Sequence, residues 1–272
     1  MIVVGYSPIG PQIGVSSALA ALSAWNYFEL ERQTLVIQTG FYGNLEETLL
    51  GMRKWKQTEY WKTKGIDEVI RNEAANIQEE EVIERAIVTI CAGRKSFELL
   101  PSTRKIDKER YEQSLLKYFV GFLQCYKERY DDIYIDLAWE QQSLLEQLYE
   151  VGDEILYFFP QNRWVLEHWN QKNCMRPKEK CILCKYEKDS FWNSSNTKLM
   201  YPNIGKNLIG VIPFSYSYMD SWSKGKAFPY LAIEHDQKKG EKSLFWKQVE
   251  QLGKQVNTEY EKGEGSVERR RK

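Results

Sequence analysis

The stretch that decides the fold is Ile2-Val3-Val4-Gly5-Tyr6, followed by SPIGPQIGV at residues 7–15 and by Ser16 and Ser17. The first five residues are typical of a short buried strand. The next nine are rich in glycine and proline, which favours a turn. An alanine-rich apolar run from Ala18 to Trp25 then predicts a helix. The sequence therefore predicts a strand, a glycine turn and a helix in this order.

This order is the layout of a phosphate-binding loop, in which backbone amides and a helix N-terminus hold phosphate oxygens and a lysine adds charge. Val15 stands at the position of that lysine. Pro11 removes one amide, and Pro11 and Gln12 replace two glycines that would permit positive φ and close approach. We therefore expect little affinity for ATP.

A second β run, Thr34-Leu35-Val36-Ile37, continues from Gln38 to Leu45. Together the two stretches resemble the motifs KGGVGKTT and LLIDADPQGNL of the MinD/ParA family of deviant-Walker ATPases. The first motif falls on residues 10–17. The second falls on residues 35–45, where Gly43-Asn44-Leu45 match as they stand. The resemblance implies a P-loop NTPase-like fold.

Four charged groups of the family are missing at the matched positions. The resemblance places the family's signature lysine, which reaches the partner's nucleotide across a dimer, at Gly10, and its loop lysine at Val15. Its two acidic residues, one of which helps to position the attacking water, fall on Gln38 and Gly40. Phosphoryl transfer depends on positioning and electrostatic stabilisation. We therefore expect a pseudo-ATPase with no catalytic residue.

Three more positions belong to the pocket that the resemblance implies. Ser16 matches the Mg²⁺-binding hydroxyl, Asp136 matches the acid that organises Mg²⁺ through water, and Cys184 replaces an asparagine that reads the adenine edge. We expect no cofactor, and Mg²⁺ at Ser16 and Asp136 only if ATP binds. Ser16 as a helix cap and Asp136 as a relic acid are the alternatives. The degenerate pocket positions are Gly10, Pro11, Gln12, Ile13, Gly14, Val15, Ser16, Ser17, Gln38, Gly40, Asp136 and Cys184.

The resemblance continues to about residue 256, through strands and helices in the family's order. A charged helix is predicted over 54–83, a long amphipathic helix over 105–129 and a last core-covering helix over 244–256. The predicted fold is α/β with three layers, a mainly parallel central sheet and helices on both faces. Residues 1–256 form one predicted domain, and 257–272 a charged, frayed tail. Further strands are predicted at 86–90, 97–101, 130–137, 152–159, 180–186 and 207–214.

Charge and aromatic content narrow the possible partners. Lysines and arginines number 38, as do aspartates and glutamates, which argues against nucleic-acid binding. A local basic patch of Lys54, Lys56, Lys62 and Lys64 is the remaining route to DNA. Nine tryptophans favour a large aromatic core over exposed interface anchors. If anchors exist, the 55–61 segment and the Phe191–Trp192 loop are the candidates.

The chain carries no sign of a membrane span or a signal peptide, because no apolar run reaches about 18 residues and no basic region precedes the first strand. Five cysteines without a dense framework fit a reducing cytosol. The predicted location is cytoplasmic, with peripheral membrane attachment as an alternative. The basic end, Arg269 to Lys272, would attach only weakly to an anionic membrane.

A zinc site of Cys174, Cys181 and Cys184 with His168 is disfavoured, because residues three apart on a strand point to opposite faces. Buried structural thiols are the preferred interpretation. The two histidines, His168 and His235, stand beside no catalytic motif. Ordinary surface or packed histidines are therefore expected.

These observations predict a bacterial MinD/ParA-like protein that has lost hydrolysis and acts as a scaffold or localisation factor with protein partners. The branch with similarly weakened motifs is TadZ/CpaE-like, which implies positioning of a pilus or secretion system at membrane-associated machinery. One alternative is an ATP-binding switch that forms a homodimer with little or no hydrolysis. Another is a partition-type DNA-associated protein.

Overall fold

The computed structural model describes residues 1–41, 43, 45–51, 64–77, 80–105, 107–172 and 175–270. Its centre is one sheet of eight strands in the spatial order β3-β4-β2-β5-β1-β6-β7-β8. Every neighbouring pair is parallel except β3 and β4, which pair antiparallel. The strands are β1 (Ile2–Tyr6), β2 (Thr34–Gln38), β3 (Val88–Ala92), β4 (Ser96–Leu100), β5 (Asp132–Asp136), β6 (Glu154–Pro160), β7 (Glu179–Tyr186) and β8 (Leu208–Pro213).

Helices connect the parallel strands, as parallel pairing requires. Within the described residues they are α1 (Val15–Leu30), α2 (Leu45–Leu50), α3 (Ile66–Ala74), α4 (Glu80–Ala86), α5 (Lys108–Tyr126), α6 (Gln142–Val151), α7 (Arg163–Lys172), α8 (Ser194–Met200), α9 (Pro202–Gly205), α10 (Tyr216–Ser223), α11 (Ala227–Asp236) and α12 (Leu244–Arg270). A 3₁₀ turn, Lys127–Arg129, extends α5.

Two apolar layers bury the two faces of the sheet. On one face, β-strand residues pack with α3, α5 and α6; on the other, they pack with α1, α11 and α12. Neighbouring residues alternate between the layers, as Val3 and Val4 of β1 do. The prediction of a three-layer α/β fold with a mainly parallel sheet is confirmed.

Helix α1 lies directly over β1 and so fixes the turn between them. A Cβ on Gly5 would lie 2.4 Å from Cδ1 of Leu19, so only glycine permits this approach. Leu19 and Trp25 of α1 are both fully buried. The first turn of α1 is therefore held at the carboxyl edge of the sheet.

Two predicted elements before residue 91 differ from the structure. The part of the predicted 54–83 helix that is described contains two helices, α3 and α4, because Asn76 adopts a left-handed φ of 54° between them. Residues 52–63, including Trp55 and Trp61, lie outside the described residues. Strand β3 begins at Val88 rather than residue 86, since α4 ends at Ala86.

The last helix covers the core as predicted but is longer than predicted. Phe245, Val249, Leu252 and Val256 are buried, so this face belongs to the core. The sequence predicts a frayed tail from residue 257, whereas the structure continues α12 through Arg270. Glutamate, lysine and arginine in this segment are good helix formers, and it contains no proline.

The tryptophans divide between core and surface. Trp25 and Trp246 are among the largest fully buried side chains, as the prediction of an aromatic core requires. Trp164 is 73% exposed and Trp139 is 43% exposed. Among the described residues, no helix is both long and apolar enough to cross a membrane.

Candidate functional site

A cavity of about 720 Å³ opens at the carboxyl edge of the sheet. This volume lies within the usual range for small-molecule pockets, and this edge is where open α/β sheets bind their ligands. We call its two parts the glycine-turn end and the aromatic end. The glycine-turn end consists of Ser7, residues 10–17, Gln38 and Asp136; the aromatic end consists of Cys184, Lys185, residues 213–215, Tyr218, Met219, Trp222 and Phe245.

All twelve sequence-predicted positions line this one cavity. They reach it from the turn after β1, from the ends of β2 and β5, and from β7, which parallel pairing brings to a common edge. Their assignment as degenerate nucleotide positions stays a prediction, since geometry alone shows only that they surround the same space.

The glycine turn keeps a left-handed backbone at three positions. Gly10, Gln12 and Gly14 have φ values of 131°, 66° and 106°. Gln12 adopts this conformation although it is not glycine, at a cost of about 1–2 kcal/mol. Thus the loss of glycine at this position does not exclude positive φ. Pro11 and Gln12 are both exposed.

Helix α1 begins at Val15, whose side chain is partly buried and packs against the apolar layer of α1. The N-cap residue is Gly14, and no side chain caps the helix. The alternative that Ser16 caps the helix is therefore wrong. Ser17 Oγ donates to the Gly14 carbonyl oxygen at 3.0 Å, and the Ser16 hydroxyl is hydrogen-bonded to Asp136.

Asp136 is buried at the end of β5, with 6% of the residue exposed. Gln38 Nε2 donates to its Oδ2 at 2.7 Å, while Gln38 Oε1 accepts from the Leu45 backbone N–H at 2.9 Å. Burial raises the pKa of Asp136, and the hydrogen bonds from Ser16 and Gln38 partly oppose this rise. The carboxyl group is thus satisfied by neutral donors instead of by a cation.

Within the described part of the chain, three ionisable side chains other than tyrosine and cysteine line the cavity. They are Asp136, Glu140 and Lys185. Glu140 is paired with Lys108 at 3.1 Å. Lys185 has no ion pair with any residue that the structure describes. Of the lining residues that the structure describes, Lys185 is therefore the one unpaired cation, and it belongs to the aromatic end as defined above.

Lys185 lies in a bulge of strand β7. Its neighbours Cys184 and Tyr186 pair with Ile212 and Pro213 of β8, whereas Lys185 is skipped and has a left-handed φ of 50°. A bulge redirects a side chain at the end of a strand. Sequence reasoning missed Lys185, although it directly follows Cys184, because the bulge depends on the register between two strands.

Cys184 and Tyr218 join the two ends of the cavity. A Cβ on Gly14 would lie 3.8 Å from Cβ of Cys184, so this thiol packs against the glycine turn. Burial raises the Cys184 pKa to about 12, which keeps the group a neutral thiol. Tyr218 Oη donates to the Ser17 carbonyl oxygen at 2.9 Å and stacks near Phe245, with ring centroids 4.5 Å apart.

The implied group, Mg²⁺ with ATP, fits these residues poorly. The glycine-turn end supplies no cation to balance a triphosphate, and the oxygen and hydroxyl that would orient Mg²⁺ through water, on Asp136 and Ser16, bond to each other and to Gln38. No step of a phosphoryl-transfer reaction can be derived from this arrangement.

The disfavoured zinc site is also not assembled in the described residues, where no group of three possible ligands occurs. Cys181 and Cys184 belong to opposite apolar layers, as their spacing predicts. Cys174 lies outside the described residues. His168 is exposed, and His235 lies 3.4 Å from Glu29 and stacks on Phe28.

The predicted interaction segments are described in part. Phe191 is 62% exposed and packs edge-on against the partly buried Trp192. Lys64, the one described member of the basic patch, donates to the Ile87 carbonyl oxygen at 2.7 Å. The other three lysines of that patch lie outside the described residues.

The fold is shared with solved ATPase structures at low sequence identity. A ParA-family ATPase from Chlorobium tepidum TLS superposes with a TM-score of 0.70 at 17% identity, over 92% of this chain and 98% of that one. The MinC:MinD cell division complex of Aquifex aeolicus superposes with a TM-score of 0.60 at 16% identity, over 95% of this chain and 96% of the chain in that structure. A putative plasmid partition protein from Borrelia burgdorferi, bound to AMPPNP, superposes with a TM-score of 0.61 at 14% identity, over 95% of this chain and 98% of that one. These likenesses confirm the resemblance at the level of the fold.

No protein-family model matches the chain, and no curated protein sequence matches it.

Proposed function

We propose that this chain is a non-hydrolysing scaffold or localisation factor built on a ParA/MinD-like fold. The observation that carries the proposal is the Ser16–Asp136–Gln38 arrangement. An acid that would organise a metal ion in an active ATPase is here buried among neutral donors. Gln38, which replaces an acidic residue of the family motif, supplies one of those donors.

The surrounding charges support the same conclusion. Catalysis of phosphoryl transfer requires cations directed at the phosphates and a group that positions the attacking water. The matched positions carry Gly10, Val15, Gln38 and Gly40, none of which has a charge. A cavity of about 720 Å³ without charged groups at these four positions supports a fold that is used without phosphoryl transfer.

Protein partners are the natural ligands of such a scaffold. The Aquifex aeolicus MinD structure was solved in complex with MinC, which supports a protein partner by analogy of fold. In this chain, exposed apolar side chains on and beside α7 and α8 are the proposed contact surface: Trp164, Phe191, Leu199 and Met200. Exposed tryptophan and phenylalanine are typical anchors of interfaces. The proposed role is positioning of a bacterial pilus or secretion system, which rests on the TadZ/CpaE-like motif pattern.

A nucleotide-dependent switch is the second candidate, and the retained cavity favours it. Ser16 and Asp136 remain adjacent, and backbone amides of the glycine turn remain at its edge. The Borrelia burgdorferi protein of the same fold was solved bound to AMPPNP. In this alternative, Mg-ATP would bring two copies together with little or no hydrolysis.

Phosphate release from Mg-ATP tests the proposal, with an active ParA-family ATPase run in parallel as the positive control. We expect no release above the buffer rate from the native chain. Turnover that disappears in Asp136→Asn would contradict the proposal. Light scattering with and without Mg-ATP separates the two candidates, because only the switch predicts a dimer that depends on nucleotide.

A further inference from the structure

We infer that the cavity binds a planar aromatic molecule with a single anionic group, without a metal ion, and that Lys185 holds the anion. The inference rests on the proposed function, because it assigns a different ligand class to a pocket that has lost phosphoryl transfer. Three observations carry it: the location of the unpaired cation, an unpartnered buried hydroxyl, and the aromatic lining.

The first observation is the distribution of charge along the cavity. In a triphosphate pocket the positive charge belongs at the glycine turn, beside the phosphates. Among the described lining residues, the glycine turn carries no cation, and the one cation without an ion pair is Lys185, which directly follows Cys184 of β7. One cation balances one anionic group of a ligand, and these residues offer no second unpaired cation for a further one.

The second observation is Ser7, which follows β1 and lines the glycine-turn end. The residue is 2% exposed, and its hydroxyl finds no hydrogen-bond partner among the described protein atoms. Buried polar groups in native proteins are nearly always bonded, so an unpartnered hydroxyl in a cavity wall indicates a ligand contact. A hydroxyl can donate to or accept from an uncharged polar atom of the ligand.

The third observation is the lining of the aromatic end. Phe214, Tyr218, Trp222 and Phe245 line the cavity beside the bulge that carries Lys185. Tyr218 cannot turn away, because its hydroxyl bonds to α1. Fixed rings offer a planar molecule stacking and edge-on contacts. The inferred ring therefore contacts this aromatic lining, and a polar atom of the same molecule contacts Ser7.

AMP and adenosine are a matched pair of probes, because they differ by one phosphate group. Calorimetric titrations in EDTA would compare the native chain with Lys185→Met and with Lys188→Met, an exposed lysine outside the cavity lining. We expect AMP to bind the native chain and Lys188→Met roughly tenfold more tightly than adenosine. Lys185→Met should lose roughly tenfold in AMP affinity and bind adenosine unchanged. Ser7→Ala should weaken both probes by a similar, smaller factor.

Equal affinities for AMP and adenosine would overturn the inference, as would a Lys185→Met variant indistinguishable from Lys188→Met, or no binding of either probe. Circular dichroism of each variant shows that a loss of binding is not a loss of fold. None of these outcomes affects the proposed function, which fails instead if the native chain hydrolyses Mg-ATP or dimerises with it.

Discussion

Strand β5 carries a buried aspartate at each end, and the two have different partners. At the amino end, Asp132 accepts from Arg32 Nη1 at 3.3 Å and from Asn26 Nδ2 at 2.8 Å. The N-terminal ammonium group lies 3.9 Å away. At the carboxyl end, Asp136 accepts from Gln38 and Ser16, and no cation is among its partners in the described residues.

The difference separates a buried carboxyl group with a cationic partner from one with only neutral hydrogen-bond donors. A buried carboxylate is costly unless it is paired. The amino end of β5 meets this cost with Arg32, which bonds to Asp132 and to Asn257 of α12. Asn26 of α1 bonds to both of these residues, so the network joins β5, α1 and α12. The carboxyl end meets it with neutral donors. Burial raises the pKa of both carboxyl groups, and the charge of Arg32 opposes this rise at Asp132, whereas hydrogen bonds from Ser16 and Gln38 oppose it at Asp136.

The largest loss in the free energy of unfolding is expected from removing the Asp132 carboxyl group. Asp132→Ala leaves the Arg32 guanidinium, whose side chain is 24% exposed, without its buried partner. We expect a loss of roughly 2–4 kcal/mol in the free energy of unfolding, less than for a fully buried pair. Urea denaturation measures it. The control is Asp220→Ala, which breaks the exposed pair with Lys224 and should change stability by less than about 1 kcal/mol. Equal losses in both variants would contradict the comparison.

A smaller loss in the free energy of unfolding is expected from Gln38→Leu, which acts at the carboxyl end of β5. The substitution leaves Asp136 Oδ2 and the Leu45 N–H without partners in a buried setting. The expected loss is about 1–3 kcal/mol. Gln113→Leu, on an exposed position of α5, is the matched control and should be near neutral. If the two variants unfold at the same urea concentration, the bridging role of Gln38 is wrong.

The smallest change in the free energy of unfolding at neutral pH is expected from Asp136→Asn. The stability difference between this variant and the native chain should depend on pH. The folded pKa is raised above the ordinary value of 3.8, so the folded state binds a proton that the unfolded state releases. The native chain should therefore lose stability relative to Asp136→Asn as pH rises from about 3.8 through the raised pKa.

Urea denaturation of both proteins across this pH range gives the difference directly. A difference that is flat with pH would mean that folding does not shift the pKa of Asp136, and one that grows in favour of the native chain would mean that folding lowers it; either result would contradict the prediction.

The fold could be predicted from the sequence because its signals are local. The apolar run 2–6, the glycine turn and the alanine-rich start of α1 each determine their own conformation. The order of these elements, with the motif resemblance, was sufficient to predict twelve residues that line the cavity. The charge losses at Gly10 and Val15 were equally visible. The break between α3 and α4 was not predicted, because an asparagine in a charged stretch gives a weak helix-end signal.

The rest of the site depends on contacts distant in sequence. Lys185 enters the cavity through a register shift between β7 and β8, which neither strand encodes alone. The isolation of the Ser7 hydroxyl follows from burial, and the bond of Gln38 to Asp136 joins residues 98 positions apart. The partners of Asp132 are equally distant, so no local pattern distinguishes it from Asp136.

The most direct test of the central claim is a calorimetric titration of Mg-ATP into the native chain and into Val15→Lys, each with and without EDTA. The account predicts that the native chain binds Mg-ATP no more tightly than AMP and that EDTA leaves the ATP affinity unchanged. Val15→Lys serves to show whether one restored cation is sufficient to recover Mg²⁺-dependent binding. Micromolar binding of Mg-ATP by the native chain, lost in EDTA, would contradict the account and make the nucleotide switch the leading function.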